Sequence, residues 1–249
     1  MKKNKMMRIA SVLLVAVLMS TCAISGTFAK YVTSAEGGDS ARVAKWGVGI
    51  TATTGAFGAA YKSADGKIST TYNAAADSVY SANGTDKVVA PGTGDTLATL
   101  KIEGAPEVDT IVEVAVNFNI GENWTAEGAN YFPLVVKVGD TTVSYNLDAT
   151  AADIEAAVEK AIIDAVLKTS ETITVTSGTS TASKNYEANS TELAHASDIA
   201  VTWSWPIETG ADDAAKAVNN KKDTVLGNKT GSEVPEISVS VSITVTQAD

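Results

Sequence analysis

The sequence predicts an all-β protein, a β-sandwich with one or two inserted helices. Several segments alternate apolar and polar residues with a period of two, which is typical of strands that bury one face. Turn residues separate these segments, as Pro91 and Gly92 do ahead of one of them. The chain has 249 residues, and a β-sandwich of about 200 residues commonly forms one domain around a single core.

The first 29 residues have the three parts of a cleavable secretion signal. Four Lys and Arg residues among the first eight are followed by an uncharged run over residues 9–24 and then by Thr27-Phe28-Ala29. We predict that a signal peptidase cuts between Ala29 and Lys30. A permanent membrane anchor is the alternative, but the uncharged run has only 16 residues, whereas a spanning helix needs about 20.

Cys22 raises a second alternative, a lipid anchor. A lipid-attachment cysteine usually follows Gly or Ala, with Leu three positions earlier, whereas Thr21 and Met19 stand at these places. Cleavage after Ala29 would remove the only cysteine of the chain. The mature protein is therefore predicted to have no disulfide, no thiolate metal site and no cysteine nucleophile.

The chain is acidic, with 29 Asp and Glu against 19 Lys and Arg and a net charge of −10. Loss of the four basic residues of the signal makes the net charge −14. Nucleic acid and anionic lipid bind positive surfaces, so this balance argues against both as partners. It leaves room for cations such as Ca²⁺.

The mature chain is predicted to begin with a mobile polar leader over residues 30–40, followed by the sandwich domain over residues 41–249. The predicted strands cover residues 41–52, 67–72, 78–80, 96–103, 109–120, 131–138, 141–147, 171–176, 199–206 and 237–245. The last of them alternates strictly between apolar residues and Ser or Thr, so we expect it inside a sheet.

One helix is predicted near residues 151–168. Thr150 and Asp153 resemble a capping box, and apolar residues recur at helical spacing up to Leu167. We expect this helix to pack on the sheet with its apolar stripe. A second, shorter helix is predicted over residues 212–218, and residues 177–192 are predicted to form a loop rich in Ser, Thr and Asn.

Few residues point to catalysis or metal binding. The H-E-x-x-H and G-x-S-x-G patterns are absent, and the single histidine, His195, lies near Glu192 and Asp198 without a diagnostic metal spacing. His195 is therefore a weak metal candidate, and no cofactor is predicted. Three carboxylates are further weak candidates for Ca²⁺: Asp212, Asp213 and Asp223.

Trp203 and Trp205 have the same parity along their predicted strand, so we expect both on one face. They are interpreted as core residues. The alternative is an aromatic platform for a carbohydrate, which would make the protein a surface adhesin or a glycan-binding module.

The order of these elements resembles the TasA/camelysin family, which Gram-positive bacteria secrete. The resemblance rests on the end of the signal (SGTFAKY), the first strand (ARVAKWGVGI), the turn and strand pair (APGTGDTLATLKIEG and DTIVEVAVNF) and the late strands (IAVTWSW and ISVSVSITVT). It implies signal removal by a SipW-type signal peptidase, a jelly-roll sandwich and assembly into fibres of the biofilm matrix.

In such fibres the leader of one subunit pairs as a strand with the next subunit, which would make Tyr31, Val32 and Thr33 the donor strand. The implied partners are further copies of the chain, the signal peptidase and other matrix or cell-wall components. The implied location is the extracellular matrix or the cell surface. We expect a structural protein rather than an enzyme. Camelysin is described as a metalloprotease, so a camelysin-like cell-surface protease is the alternative function.

Overall fold

β-strands make up most of the regular structure of this protein. The structure, a computed structural model, describes residues 32–36, 47–55, 57–64, 67–69, 77–81, 84–168, 174–176 and 178–248. The strands, numbered along the chain, are β1 (Val32–Glu36), β2 (Gly49–Thr54), β3 (Ala60–Ala64), β4 (Lys67–Ser69), β5 (Asp77–Tyr80), β6 (Gly94–Glu103), β7 (Thr110–Ile120), β8 (Thr125–Ala126), β9 (Ala129–Asn130), β10 (Val135–Val138), β11 (Thr141–Thr142), β12 (Thr174–Thr176), β13 (Thr179–Tyr186), β14 (Ile199–Ser204) and β15 (Ile237–Gln247). The helices are α1 (Ala151–Leu167) and α2 (Asp213–Gly227), with a 3-10 turn at Gly231–Glu233. The described residues therefore form an all-β fold with two inserted helices, which confirms this part of the predicted fold class.

Ten strands form two five-stranded antiparallel sheets. Sheet A has the order β1-β15-β7-β13-β12, and sheet B has the order β11-β10-β14-β6-β2. β15 lies between β1 and β7, so the prediction that the C-terminal strand sits inside a sheet is confirmed. Tyr31–Asp249 form one compact unit.

One hydrophobic core draws on both sheets and on α1. In sheet A, Val112 and Val114 of β7 are fully buried, while Glu113 between them is exposed. In sheet B, Leu100 and Ile102 of β6 are fully buried in the same way. Burying each such side chain contributes about 1.5–3 kcal/mol to the free energy of folding. The alternating apolar residues of both sheets therefore stabilise one common core.

Helix α1 begins and ends as its sequence predicts. The Thr150 hydroxyl accepts a hydrogen bond from the backbone N–H of Asp153 at 3.2 Å and caps the first turn. Lys168 ends the helix in the left-handed conformation, with φ of 51°. The apolar stripe, which includes Ile154, Val158 and Ile162, is buried, as predicted. Among the described residues, no helix combines the length and the apolarity that crossing a bilayer requires.

Helix α1 also closes one side of β7. Strand β13 pairs with β7 from Thr110 to Val116. Beyond that point the backbone N–H of Phe118 donates to Glu159 Oε1 at 2.9 Å, and the N–H of Ile120 donates to Glu155 Oε1 at 2.7 Å. Two carboxylates of a helix thus take the place of strand acceptors along this edge. Ser180 of β13 also donates its hydroxyl to Glu159.

Several sequence predictions are wrong. The strands predicted over residues 131–138 and 141–147 are shorter, since only β10 and β11 form there. Strand β13 lies within residues 177–192, which were predicted to be a loop because Ser, Thr and Asn dominate them. Its Ala182 and Tyr186 are buried at the right spacing, and cross-strand pairing with β7 stabilises the polar residues between them. Helix α2 also extends to Gly227, well past residue 218, because Leu226 is buried at a helical spacing from the buried Asp223.

Candidate assembly site

β15 lies at the centre of the candidate assembly site, between β1 and β7. Its residues, ISVSVSITVTQ, carry no charge. The N–H of Gly121 donates to the carbonyl of Glu236 at 2.9 Å, and the N–H of Ala248 donates to the carbonyl of Asp109 at 2.8 Å. Even-numbered residues therefore turn their backbone groups to β7. The N–H and C=O groups of the odd-numbered residues, from Ile237 to Val245, point to the opposite side, towards β1.

β1 occupies this opposite side along half of β15. The antiparallel register places Thr33 opposite Val245 and Ala35 opposite Ile243. These are the pairs in which both residues direct their N–H and C=O groups at each other. Among the described residues, the pairing on this side ends at Glu36, opposite Ser242. β1 therefore contacts β15 through a short ladder at an edge of sheet A.

The structure places the predicted donor residues in part. Val32 and Thr33 belong to β1, while Tyr31 and the predicted cleavage pair, Ala29 and Lys30, lie outside the described residues. The strand pairs with β15 of its own chain. Within a single chain, therefore, the leader already fills the place that a neighbour's leader would take.

His195 lies in the interior and is 9% exposed. Its Nδ1 accepts a hydrogen bond from the N–H of Ile102 in β6 at 3.1 Å, so Nε2 carries the proton and donates to the carbonyl of Val166 in α1 at 3.0 Å. Both ring nitrogens are thus engaged by backbone groups. Burial lowers the pKa of the imidazole, and the ammonium of Lys168 lowers it further.

The three weak calcium candidates do not converge. Asp212 caps α2 by accepting a hydrogen bond from the N–H of Ala215 at 2.8 Å. Asp213 Oδ1 lies 3.7 Å from Lys216 Nζ. Asp223 lies on the same helix about 15 Å further along its axis. Among the described residues, no three His, Cys, Asp or Glu side chains come close enough together to hold a metal ion.

Asp223 instead fastens α2 to an aromatic cluster. It accepts hydrogen bonds from the hydroxyl of Tyr131 at 2.8 Å and from Trp205 Nε1 at 3.2 Å. Burial raises the pKa of this carboxyl, and the two hydrogen bonds offset part of that rise. Few other residues of α2 are buried, so this contact is a main attachment of the helix.

Trp203 of β14 and Trp205, the residue after the end of β14, are 2% and 4% exposed, so both lie in the core. Trp205 also lines a cavity of about 530 Å³ beside the start of β15. Trp124 lines it too, and its indole N–H donates to the carbonyl of Glu236 at 2.8 Å. The indole N–H groups of both tryptophans at this cavity are therefore already bonded within the chain.

No protein-family model matches the chain, and no curated protein and no solved structure is similar enough to it to count as a match. The resemblance to the TasA/camelysin family therefore stays a prediction from the sequence.

Proposed function

We propose that this protein is a secreted structural subunit that assembles with further copies of itself into extracellular filaments by passing its leader strand to a neighbour. The position of β1 carries the proposal. It belongs to the N-terminal leader, lies at the edge of sheet A and pairs with β15. A strand in such a position can be supplied by a second chain, because backbone groups alone define the ladder.

Exchange of β1 would conserve the bonds that it makes. A leader from a second copy offers β15 the same five residues in the same register, so the free energies of the two pairings differ little. The leader of the same chain competes at an effective concentration in the millimolar range, as expected for a short linker. A high local concentration of subunits would then favour the exchanged state, and so would the free energy gained from any further contact between neighbouring subunits.

The exchanged contact is head-to-tail, and such a contact does not close on itself unless the rotation between subunits completes a ring. It therefore extends into a filament. The two five-stranded sheets would form the jelly-roll-like sandwich of each subunit. The mature net charge of −14 suits a soluble precursor that stays dispersed until its leader is exchanged.

Removal of residues 1–29 by a signal peptidase would free the leader at Lys30. The filaments would lie in the extracellular matrix or on the cell surface, where other matrix or cell-wall components are the remaining partners. The function requires no cofactor and no catalytic residue.

A reversible disulfide tests the proposal. Ser34 and Thr244 are opposite each other in a pair without mutual hydrogen bonds, whose Cα atoms lie about 4.5 Å apart and within reach of a disulfide. The variant Ser34→Cys/Thr244→Cys, in the chain from Lys30, has no other cysteine. Oxidised while monomeric, it should stay monomeric, and after reduction it should form filaments in electron micrographs.

Oxidation of those filaments should then link neighbouring subunits into a ladder of covalent multimers on a non-reducing gel. Ser34→Cys alone, the matched control, should give dimers at most. Filaments that release only monomers with internal disulfides would show that the leader stays in its own chain. A wild-type protein that never forms filaments would contradict the proposal altogether.

Proline substitutions give a second test with a control one residue away. Ala35 directs its N–H at β15, whereas the N–H of Ser34 points away from β15. Proline lacks this N–H, so Ala35→Pro should abolish filaments while Ser34→Pro should preserve them. Equal effects of the two variants would mean that the ladder between β1 and β15 does not hold subunits together.

A further inference from the structure

The only histidine of the chain joins three separate elements. Its ring connects β6 to the last turn of α1, through Ile102 and Val166. The backbone N–H of His195 donates to the carbonyl of Ile102 at 2.8 Å, so the loop before β14 is attached to β6 at the same residue. His195 thus joins the strand to the helix end through its ring and to the loop through its backbone N–H.

The hydrogen-bond pattern demands a neutral ring. Nδ1 has to accept from the N–H of Ile102, which it can do only while it carries no proton. An imidazolium would point an N–H at another N–H there, while its Nε2 could still donate to Val166. Protonation therefore breaks the bond to β6 and leaves the bond to α1.

The surroundings of the ring do not compensate for a positive charge. Lys168, at the end of α1, donates to the carbonyls of Glu192 and Ala194, both in the loop just before His195, and this holds its ammonium near the ring. Lys184 of β13 donates to the carbonyl of Leu167 at 3.2 Å, which adds a second cation at the helix end.

The charged and titratable groups on the elements packed around the ring are Asp164 and Lys168 of the α1 end, Lys184 and Tyr186 of β13, Lys101 and Glu103 of β6, and Glu192 and Asp198 of the loop. Three of these carboxylates are engaged elsewhere, since Asp198 and Glu103 pair with Lys101, and Asp164 pairs with Lys160. The negative end of the α1 dipole favours a charged ring, whereas burial and then the ammonium of Lys168 lower the pKa of the ring.

We infer that His195 is a latch opened by acid: the neutral ring links the end of α1 to β6, and protonation breaks that link at Ile102, so that the backbone bond from His195 to Ile102 remains as the attachment of the loop to β6. The device is local. It leaves the apolar stripe of α1 in place, because Ile154, Val158 and Ile162 pack in the core independently of the ring. Acidification should therefore loosen this corner before it unfolds the protein.

The pH window follows from the direction of the shift. An unfolded histidine has a pKa near 6.5, and the folded ring has a lower one. Between these two values the unfolded state binds more protons than the folded state. Stability should therefore fall as the pH is lowered from about 6.5 to the folded pKa, and this contribution should be constant above and below that window.

Nuclear magnetic resonance of the chain from Lys30 tests the latch directly, because one histidine gives one set of ring signals. At neutral pH we expect the tautomer with the proton on Nε2 and a titration midpoint below 6.5. As the pH is lowered through the window, the rate of amide hydrogen exchange at Ile102, divided by the rate in α2, should rise about tenfold for each pH unit. A proton on Nδ1, or an ordinary titration midpoint, would overturn the inference.

His195→Gln is the matched variant, because a glutamine amide donates and accepts but does not titrate in this range. It should fold less stably than the wild type at pH 7.5, and the difference should shrink as the pH is lowered to 5. An unchanged difference over that range would also overturn the inference. Should the variant fail to fold, the tautomer and midpoint of the wild type still decide the question.

Discussion

β7 and β15 are neighbours in sheet A, yet their outer sides are covered in different ways. On the side of β7, Glu155 and Glu159 of α1 accept the N–H groups of Ile120 and Phe118. On the side of β15, a five-residue strand at the N-terminus makes the contact with its backbone. The first cover is attached through the buried stripe of a 17-residue helix, and the second is attached through its ladder.

Under the proposed function, this difference separates a permanent cover from one that a second copy can replace. Side chains that cap a strand belong to a helix with its own place in the core, so no second copy can replace them without unpacking that helix. A backbone ladder has no such requirement. We therefore expect substitutions in α1 to change stability strongly and assembly indirectly, and changes in β1 to do the reverse.

The largest effect on stability should come from the attachment of α1 itself. Ile162 is fully buried, and Ile162→Ala should lower the free energy of unfolding by about 4 kcal/mol through lost burial and a cavity. Urea denaturation followed by circular dichroism measures it. Ala156→Ser, on the exposed face of the same helix, should change it by less than about 0.5 kcal/mol.

The next effect concerns the carboxylate cap. Glu159→Ala leaves the N–H of Phe118 and the hydroxyl of Ser180 without their acceptor in a buried place, which should cost about 3 kcal/mol. Glu159→Gln keeps an acceptor oxygen and should cost about 1 kcal/mol. Equal losses for the two variants would mean that packing volume, rather than hydrogen bonding, is the role of Glu159.

A smaller effect is expected where α1 begins. Thr150→Ala removes the acceptor for the N–H of Asp153 and should lower the free energy of unfolding by about 1 kcal/mol. Thr150→Ser keeps the hydroxyl and should restore nearly all of it. The same denaturation experiment measures both, and a loss in the serine variant as large as in alanine would contradict a capping role.

The smallest effect on stability should follow removal of β1. Its few hydrogen bonds are nearly offset by the entropy of ordering five residues, so deletion of residues 30–36 should change the free energy of unfolding by less than about 1 kcal/mol. Filament formation should nevertheless stop. A deletion as costly as Ile162→Ala would mean that β1 is an integral part of the fold.

The sequence predicts the elements with strong periodicity. β7, β15 and α1 lie close to their expected bounds because apolar alternation or a helical stripe coincides with burial. β13 was missed because its composition is typical of loops, and its strand state depends on the register with β7. The residue pattern of one segment does not show which neighbouring strand pairs with that segment and stabilises it.

The candidate site was predictable only in part. The leader could be named from its position after the predicted signal, but its proposed acceptor follows from strand order, which no local pattern encodes. Glu155 and Glu159 read as ordinary exposed residues of an amphipathic helix, although Glu159 is 3% exposed. Their spacing of one helical turn, facing the end of β7, acquires meaning only once α1 is packed against that strand.

The pairing of β1 with β15 joins the first described strand of the chain to the last. In a chain exported N-terminus first, the leader would reach the outside at the start of translocation, well before its own acceptor, β15. Throughout that interval the leader would be unpaired, while a completed subunit that has released its own β1 would present the same uncharged acceptor edge. The order of synthesis would therefore give a neighbour the first opportunity to bind the leader.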